Sequence, residues 1–365
     1  MSFHQDLDNL TRDMHDASWE VEYMRKNPVV ALMLERKNLQ FKGGKQYYRE
    51  LDTDTVEDVV QDYSVNEVLE HSTKDTTKRA TFIRKKFQAP IQIDEDEELQ
   101  NADQTPDGTR LHNLAEHKTK KVQEGVRLHL RKLMYRATGV TYAATDSNKY
   151  MQGLNNALTP DHTYGQITRT KASSVADWWQ PANNQYDATG GTTGDQNGEY
   201  TIGISWLRGI LEPMEDLETD NVDLVTIVGG VLWLALIEEA EARGVPYKIE
   251  PDRLNSKGGK TTQGFSEMII DRRRVIKDPF LKTANNTAMG ETTGSAGDLS
   301  RRLYCLNLKT WDFFIHPKRN FKLTSFFDQS QLAGGYDFSL ARIKFAGNLV
   351  CWHPNQNLYL SNIVP

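Results

Sequence analysis

Cysteine is nearly absent from this chain: 365 residues include two, Cys305 and Cys351. No CxxC pair and no Cys/His cluster accompanies them, which removes the sequence signatures of zinc ribbons and redox dithiols. Two buried thiols in a reducing compartment are expected instead. Long apolar runs are missing too. The most apolar stretch, residues 222–240, is broken by Asp223, Glu238, Glu239 and a Gly-Gly pair, so it is too short and interrupted to span a bilayer. The opening MSFHQDLDNLTRDMHD is acidic and polar, unlike a signal or transit peptide, and synthesis in the cytoplasm is expected. Positive charge is not in excess: 44 Lys+Arg stand against 50 Asp+Glu, a formal net charge of -6. That balance does not suggest tight nucleic-acid binding.

Catalytic signatures are also missing. Gly258-Gly259-Lys260-Thr261 resembles part of a phosphate loop, but Leu254 stands where the first glycine belongs, and Pro251-Asp252 precedes it in place of a hydrophobic strand. A turn is expected there. The nine histidines are scattered, with no HExxH and no carboxylate-rich calcium loop. His112 and Glu116 share a helix face, as many surface pairs do. Ser173, Ser174, Ser205 and Ser266 lack the Gly-x-Ser-x-Gly elbow of an esterase-type nucleophile. The pair Trp178-Trp179 lies near Ile167 and Val175 and reads as core before it reads as a stacking platform. No metal, cofactor or catalytic set is expected, and the chain is not read as an enzyme.

What is present is a strongly patterned C-terminus. Trp311, Phe313 and Ile315 alternate with Asp312 and Phe314, and Ile343 and Phe345 alternate with Arg342, Lys344 and Ala346. A period of two in aromatic and β-branched residues marks strands with one buried face. His316-Pro317, Gly334-Gly335 and Gly347-Asn348 are expected to supply turns between them. An antiparallel sheet of this kind needs something to pack on. With 38% hydrophobic residues, the chain can build a sizeable core, split over two subdomains.

Residues 105–136 predict that packing partner. Thr105-Pro106 can start a helix, and Leu111, Leu114, Ala115, Val122, Val126, Leu130 and Leu133 form one stripe at helical period, interrupted by Lys118 and His129. Lys120, Lys121, Arg127 and Arg131 lie on the other side. Such a helix would be on the order of 45 Å long. Before it, Leu7, Leu10, Met14, Val21 and Met24 predict a helical arm that Pro28 interrupts.

Residues 46–100 predict a long hairpin. Its ascending side includes Tyr47, Tyr48, Val56, Val59, Val60, Tyr63 and Val65; its descending side includes Thr81, Phe82 and Ile83 and the run Phe87–Ile93, with a polar tip at 71–79. A two-stranded excursion is marginal alone in water and needs a partner. Its charges are segregated. Glu50, Asp52, Asp54, Glu57, Asp58, Asp62, Glu67 and Glu70 occupy the ascent, while Lys74, Lys78, Arg79, Arg84, Lys85 and Lys86 occupy the tip and descent. Docking against another subunit is expected, with cross-strand pairing as the bland alternative. Residues 150–300 predict a mixed α/β region with a helix at Leu224–Arg243, stopped by Gly244. The Gly/Thr-rich segments 188–198 and 284–298 predict surface loops.

This order of parts resembles the major capsid proteins of tailed double-stranded DNA bacteriophages, the Hong Kong 97 fold. Local patterns add to the resemblance. The run Gln152–Leu158, Thr163–Arg169 and Trp178-Trp179 looks like the start of the axial domain in one capsid subgroup. Asp223–Thr226 before an apolar helix looks like that subgroup's strand–helix step, and Arg302–Asn307, His316-Pro317 and Phe345–Leu349 look like its closing strands. The resemblance implies an α+β chain with an N-terminal arm at 1–45, an extended β-hairpin loop at 46–104 and a peripheral domain built from the spine helix at 105–150 and the return sheet at 301–365. It places a mixed α/β axial domain at 151–300.

The resemblance implies a virion protein that assembles, in the host cytoplasm, into hexamers and pentamers of an icosahedral shell around double-stranded DNA. Implied partners are a separate scaffolding protein, a portal and a cement or decoration protein, with non-specific inner-surface DNA contact and no membrane. The subunit-contact candidates are Glu57, Asp58 and Asp62 on the hairpin of one copy, facing Lys120, Arg127 or Arg131 of its neighbour, together with Lys74, Lys78 and Arg79 near the tip. Some family members fuse a lysine to a neighbour's asparagine under a promoting glutamate. Here Lys74 and Lys78 are the matching lysines and Asn348, Asn355 and Asn357 the matching asparagines, but no glutamate follows Glu291, so no cross-link is expected. Three alternatives remain at this point: a nanocompartment shell of the same fold around a protein cargo, an α/β enzyme with an unrecognised site, and a carbohydrate module using Trp178, Trp179 and Trp206.

Overall fold

The computed structural model describes residues 28–38, 44, 46–52, 77–94, 96–97, 114–136, 150–159, 163–169, 177–181, 200–215, 223–251, 266–270, 273–285, 298–328, 338–361 and 363–364. Residues 1–27 of the arm expected at 1–45, residues 53–76 of the hairpin with most of its tip, the Gly258–Thr261 turn, Ser173-Ser174, Gly334-Gly335 and most of the two Gly/Thr-rich loops lie outside those residues.

Pro28 stands at the start of α1 (Pro28–Glu35), where its fixed φ suits the first turn. Val29 through Leu34 are all buried. β1 (Lys37–Asn38) follows. β2 (Gln46–Asp52) and β3 (Thr77–Ile83) form an antiparallel ladder from Gln46↔Ile83 to Asp52↔Thr77. The expected descending side is two strands, however. After Arg84 the chain leaves the hairpin, and β4 (Lys85–Asp94) joins the C-terminal sheet. The reason is the larger burial available there: Ile91 and Ile93 enter a core that the hairpin does not provide.

The amphipathic helix is α2 (Leu114–Tyr135), 22 residues or about 33 Å long. Ala115, Val126, Leu130 and Leu133 are buried as the stripe predicts, and Leu114 and Val122 pack half-buried against the same core. The helix lies on β4. Lys118, which breaks the stripe, donates from Nζ to the carbonyl of Gln92 at 2.9 Å and pairs with Glu97. The short α3 (Leu154–Leu158) follows, then β5 (Tyr200–Thr201) and α4 (Ile204–Glu215).

The expected helix at 224–243 is a strand and a helix. β6 (Leu224–Val228) precedes α5 (Gly230–Arg243). Residues 224–228 are largely β-branched and pair on both edges, which a helix cannot do. Gly244 ends α5 in the left-handed region at φ 64°, as expected. β7 (Tyr247–Pro251), β8 (Ser266–Ile270) and β9 (Arg273–Lys277) complete this part.

The C-terminal strands are β10 (Leu303–Asn307), β11 (Trp311–Ile315), β12 (Lys322–Leu323) and β13 (Phe327–Asp328). They are followed by β14 (Phe338–Cys351), β15 (Leu358–Leu360) and β16 (Ile363–Val364). Trp311, Phe313 and Ile315 are buried in strict alternation. Between β11 and β12, His316 accepts from the Lys318 backbone N–H, closing the expected turn. Gly347-Asn348 is not a turn. It lies inside β14, between β11 on one edge and the end of β4 on the other. Gly347 is required there because a Cβ would stand 2.4 Å from the Phe314 carbonyl oxygen.

Two six-stranded sheets result. One has β1, β11, β14 and β12 in order, with β4 and β13 also on β14; the other runs β15-β10-β6-β9-β8-β7. The second sheet is a wall shared by two cores. Val225, Ile227, Ile276, Tyr304 and Leu306 face the core that holds α1, α2 and the first sheet. Leu303, Cys305, Val275, Met268 and Leu358 face the core of α4 and α5. The period of two along each strand divides the side chains between the two sides.

Candidate functional site

The hairpin has two faces with different fates. On the inner face, the Tyr47 ring stacks on Phe314 at 4.4 Å, and Phe82 meets Tyr164 and Trp352 edge-on at 5.0 and 5.5 Å. Arg49 lies over the Trp352 ring at 5.6 Å, and the Thr81 N–H donates to the Gly165 carbonyl at 2.9 Å. Leu51, Ala80 and Phe82 are buried. The base of the hairpin is therefore seated on its own subunit. The outer face is open: Tyr48 is 60% exposed, with the Arg79 guanidinium 3.6 Å from its ring centroid. Arg79 is also registered opposite Glu50, which is cross-strand pairing of opposite charges.

Lys78 and Arg79 are exposed on this ladder, while Glu57, Asp58, Asp62 and Lys74 lie outside the described residues. On α2, Lys120 pairs with Glu116 at 2.7 Å and Arg127 with Glu124 at 3.2 Å, each within the helix. Arg131 turns inward. Its guanidinium is 3.8 Å from Asp278 and 5.2 Å from the Phe280 ring centroid. Asp278 is buried, accepts from the Tyr135 hydroxyl at 2.7 Å and from the Phe280 N–H at 2.8 Å, and burial raises its carboxyl above the usual range.

The three candidate asparagines are not equivalent. Asn348 is wholly buried. Its Oδ1 accepts from the Gln152 N–H at 3.0 Å, and its Nδ2 donates to the Ile83 carbonyl at 3.1 Å. Asn357 is wholly buried as well. It accepts from the Asn307 N–H and the Trp311 indole, and donates to Thr310 Oγ1 and the His353 carbonyl. Both amides are committed to holding strands together. Asn355 is half-buried, and its Oδ1 meets no partner among the described residues.

Other described residues singled out from sequence have packing roles. Trp179 is buried, its indole donating to the Tyr164 carbonyl at 3.0 Å, with Trp178 packed beside it. Trp206 is half-buried against the second core. Neither cysteine is in a disulfide and both are buried, and burial pushes the Cys351 thiol up to about 12, which leaves it protonated and unreactive at neutral pH. Arg169 is buried and holds the carbonyls of Ala157 and Asn156 at 2.7 and 2.9 Å, closing the end of α3. Among the described residues no group of three His, Cys, Asp or Glu side chains is placed to hold a metal, and no helix is long and apolar enough to cross a membrane.

One cavity, about 170 Å³, lies between β4 and α2. Lys85, Lys86 and Phe87 form one side, His129 and Leu133 another, and Tyr150 and Met151 close it. Lys85 is 5% exposed, and burial lowers its ammonium pKa. His129 is also shifted down, by burial and by the charges of Lys132 and Arg136. Arg136 stacks on Tyr150 at 3.9 Å. The sequence marked Lys85 and Lys86 only as part of a basic descending arm; their meeting with His129 depends on β4 leaving the hairpin.

No family model matches the sequence, and no curated protein matches it. Solved structures do match. The capsid chain of cyanophage A-1(L) is similar over 93% of both chains, with a TM-score of 0.60 at 14% identity. The SrpI encapsulin of Synechococcus elongatus is similar over 92% of this chain and 86% of its own, with a TM-score of 0.50 at 11% identity. The capsid of a native GTA particle covers 92% of this chain and 90% of its own, again at 0.50, with 8% identity. Over 92–93% of its length the chain thus shares the mixed α+β fold of these shell proteins, the Hong Kong 97-like fold that its sequence pattern resembles.

Proposed function

We propose that this protein is a major capsid protein, self-assembling into the icosahedral head shell that encloses the double-stranded DNA of a tailed phage. The observation that carries the reading is the whole-chain similarity to the cyanophage A-1(L) capsid. The site chemistry agrees with it. Trp179, Cys305 and Cys351, flagged in the sequence for stacking or thiol chemistry, are buried in packing roles, while the described outer face of the hairpin is open at Tyr48. In this reading α2 is the spine and, with the β14 sheet, makes the peripheral domain; α4, α5 and the sheet from β15 to β7 make the axial domain. Residues 1–45 are the arm, and 46–84 the extended loop. Each subunit makes several modest contacts whose combined avidity holds the shell, in hexamers and pentamers. A separate scaffold, a portal, a decoration protein and weak inner-surface DNA contact complete the proposed set of partners.

A nanocompartment shell is the second reading, favoured by the similarity to the SrpI encapsulin. Negative-stain electron microscopy of protein from its native source, combined with nuclease protection, separates them. Icosahedral particles protecting double-stranded DNA are expected. Particles filled with protein would establish the nanocompartment, and a monodisperse monomer under assembly-promoting conditions would sink both.

A further inference from the structure

The walls of the cavity between β4 and α2 are each fixed by contacts outside it. On the strand side, Lys85, Lys86 and Phe87 are registered against Gly347, Ala346 and Phe345 of β14, and the Phe87 ring stacks on Phe345 at 4.6 Å. On the helix side, the His129 ring meets Phe87 edge-on at 5.4 Å, and Leu133 is buried in the core. Tyr150 and Met151 form the third wall, and the chain just after them is pinned twice. The Gln152 N–H donates to Asn348 Oδ1 at 3.0 Å, and Gly153 lies so close to α2 that a Cβ there would stand 2.1 Å from the Leu133 carbonyl oxygen. Walls held in this way resist collapse into the space between them. A site formed in advance also loses little order when a ligand enters.

Volume and lining together define what fits. The cavity measures about 170 Å³, close to the roughly 150 Å³ of an engineered apolar cavity that binds benzene, so it holds one ring. Phe87, Leu133, Tyr150 and Met151 supply ring and aliphatic surface, while Lys85, Lys86 and His129 bring nitrogen groups. The described lining includes no Asp or Glu. Lys85 is buried and Lys86 is exposed. Burying an ammonium is costly, and an anion beside it reduces that cost.

We propose that this cavity is a binding site for a small aromatic monocarboxylate, its ring against Phe87, Leu133 and Met151 and its carboxylate toward Lys85 and Lys86. A ligand seated there bridges β4 and α2. A nucleotide, with base, sugar and phosphates, is too large for a space of one ring. Water alone fits less well, because a buried water needs several polar partners and most of the lining is apolar. The inference goes beyond the shell reading and does not depend on it.

The probe is benzoate, measured by equilibrium dialysis on the whole chain, both before assembly and as particles. Saturable uptake of one benzoate per chain is expected, with a dissociation constant on the order of 1 mM or below, together with a rise in melting temperature. Benzyl alcohol keeps the ring without the charge and should bind about tenfold more weakly; benzylamine, with the opposite charge, should not bind. Lys86→Glu should weaken benzoate about tenfold, and Lys86→Arg should keep it. Leu133→Phe fills the cavity and should abolish uptake. An absence of saturable uptake, the result expected if a side chain of this chain or of a second copy fills the space, overturns the proposal. So does equal binding of benzylamine, or an affinity unchanged in Lys86→Glu or in Leu133→Phe. Circular dichroism checks that the variants fold; if they do not, the three-ligand series on the wild-type chain decides. Particles that form but take up no benzoate leave the capsid reading standing and remove the site. Chains that take up benzoate but form no particle keep the site and sink the capsid reading.

Discussion

The Tyr135 hydroxyl donates to Asp278 Oδ2 at 2.7 Å, joining the last turn of α2 to the end of β9 across 143 residues of sequence. Asp278 also receives the Phe280 N–H and faces Arg131, so a buried carboxylate is held by three groups. This is where the long helix is tied to the sheet that divides the two cores. Tyr135→Phe should lower stability by about 2 kcal/mol, read by denaturant unfolding, because it removes a donor from a buried charged acceptor.

The same carboxylate sets a pH dependence. Burial raises the native Asp278 pKa above its unfolded value, so between the two values the native state binds more protons than the unfolded state. Stability from this group is therefore greatest below the unfolded pKa, and it declines as pH rises through the native one. Asp278→Asn keeps an acceptor for Tyr135 and removes the titration. Melting temperatures across pH 4–8 should fall less steeply with rising pH in Asp278→Asn than in wild type (about pH 4 being the ordinary carboxylate value). Identical slopes would show that the group does not titrate there.

Asn348 ties three parts of the chain together: β14, the Gln152 backbone and the Ile83 carbonyl at the foot of the hairpin. Asn348→Ala should cost about 3 kcal/mol by leaving those buried groups unmade. Because no glutamate follows Glu291 to promote fusion, and the amides of Asn348 and Asn357 are buried and bonded, mature particles should run as monomers on a denaturing gel. A ladder of high-mass bands would show covalent fusion through another residue.

Gly347→Ala places a methyl against the Phe314 carbonyl, where 2.4 Å is far inside contact distance and the obstacle is backbone. β11 and β14 would have to separate at that pair. A loss of about 3 kcal/mol in unfolding free energy is expected, together with faster hydrogen exchange at Phe314 and Ile315.

Glu239 sits on α5 but serves α4. Its Oε2 accepts from the Ile204 N–H at 2.6 Å, and its Oε1 pairs with Arg243 at 2.8 Å. A carboxylate at a helix N-terminus satisfies an orphan donor and opposes the helix dipole. Glu239→Ala should destabilise by about 1–2 kcal/mol in thermal unfolding, with Glu239→Gln losing less because it keeps an acceptor.

Local periodicity was enough to read several elements from sequence. The alternation at 311–315 fills one face of β11, the stripe from Ala115 to Leu133 buries one side of α2, and Gly244 stops α5 in the left-handed region. Each depends on neighbours within a few residues, and the amino-acid order holds that information directly. The capsid likeness was legible for the same reason, as an ordered set of such elements.

Other features depended on partners far away in the chain. Residues 224–228 form a strand because β9 and β10 pair with both of its edges, although their apolar character suits a buried helix equally well. Gly347-Asn348 is strand and not turn because β11 and β4 flank it. Lys85 and Lys86 meet His129 only because β4 leaves the hairpin, and Arg131 faces Asp278 only because α2 crosses the β9 end. The sequence by itself determined the element type and the buried face where the period is clear, as in β11 and α2, since propensity and period are local. The tertiary structure decided which charges are taken up inside the subunit and which gather at its surface, because electrostatic pairing depends on distance in space and is blind to distance along the chain.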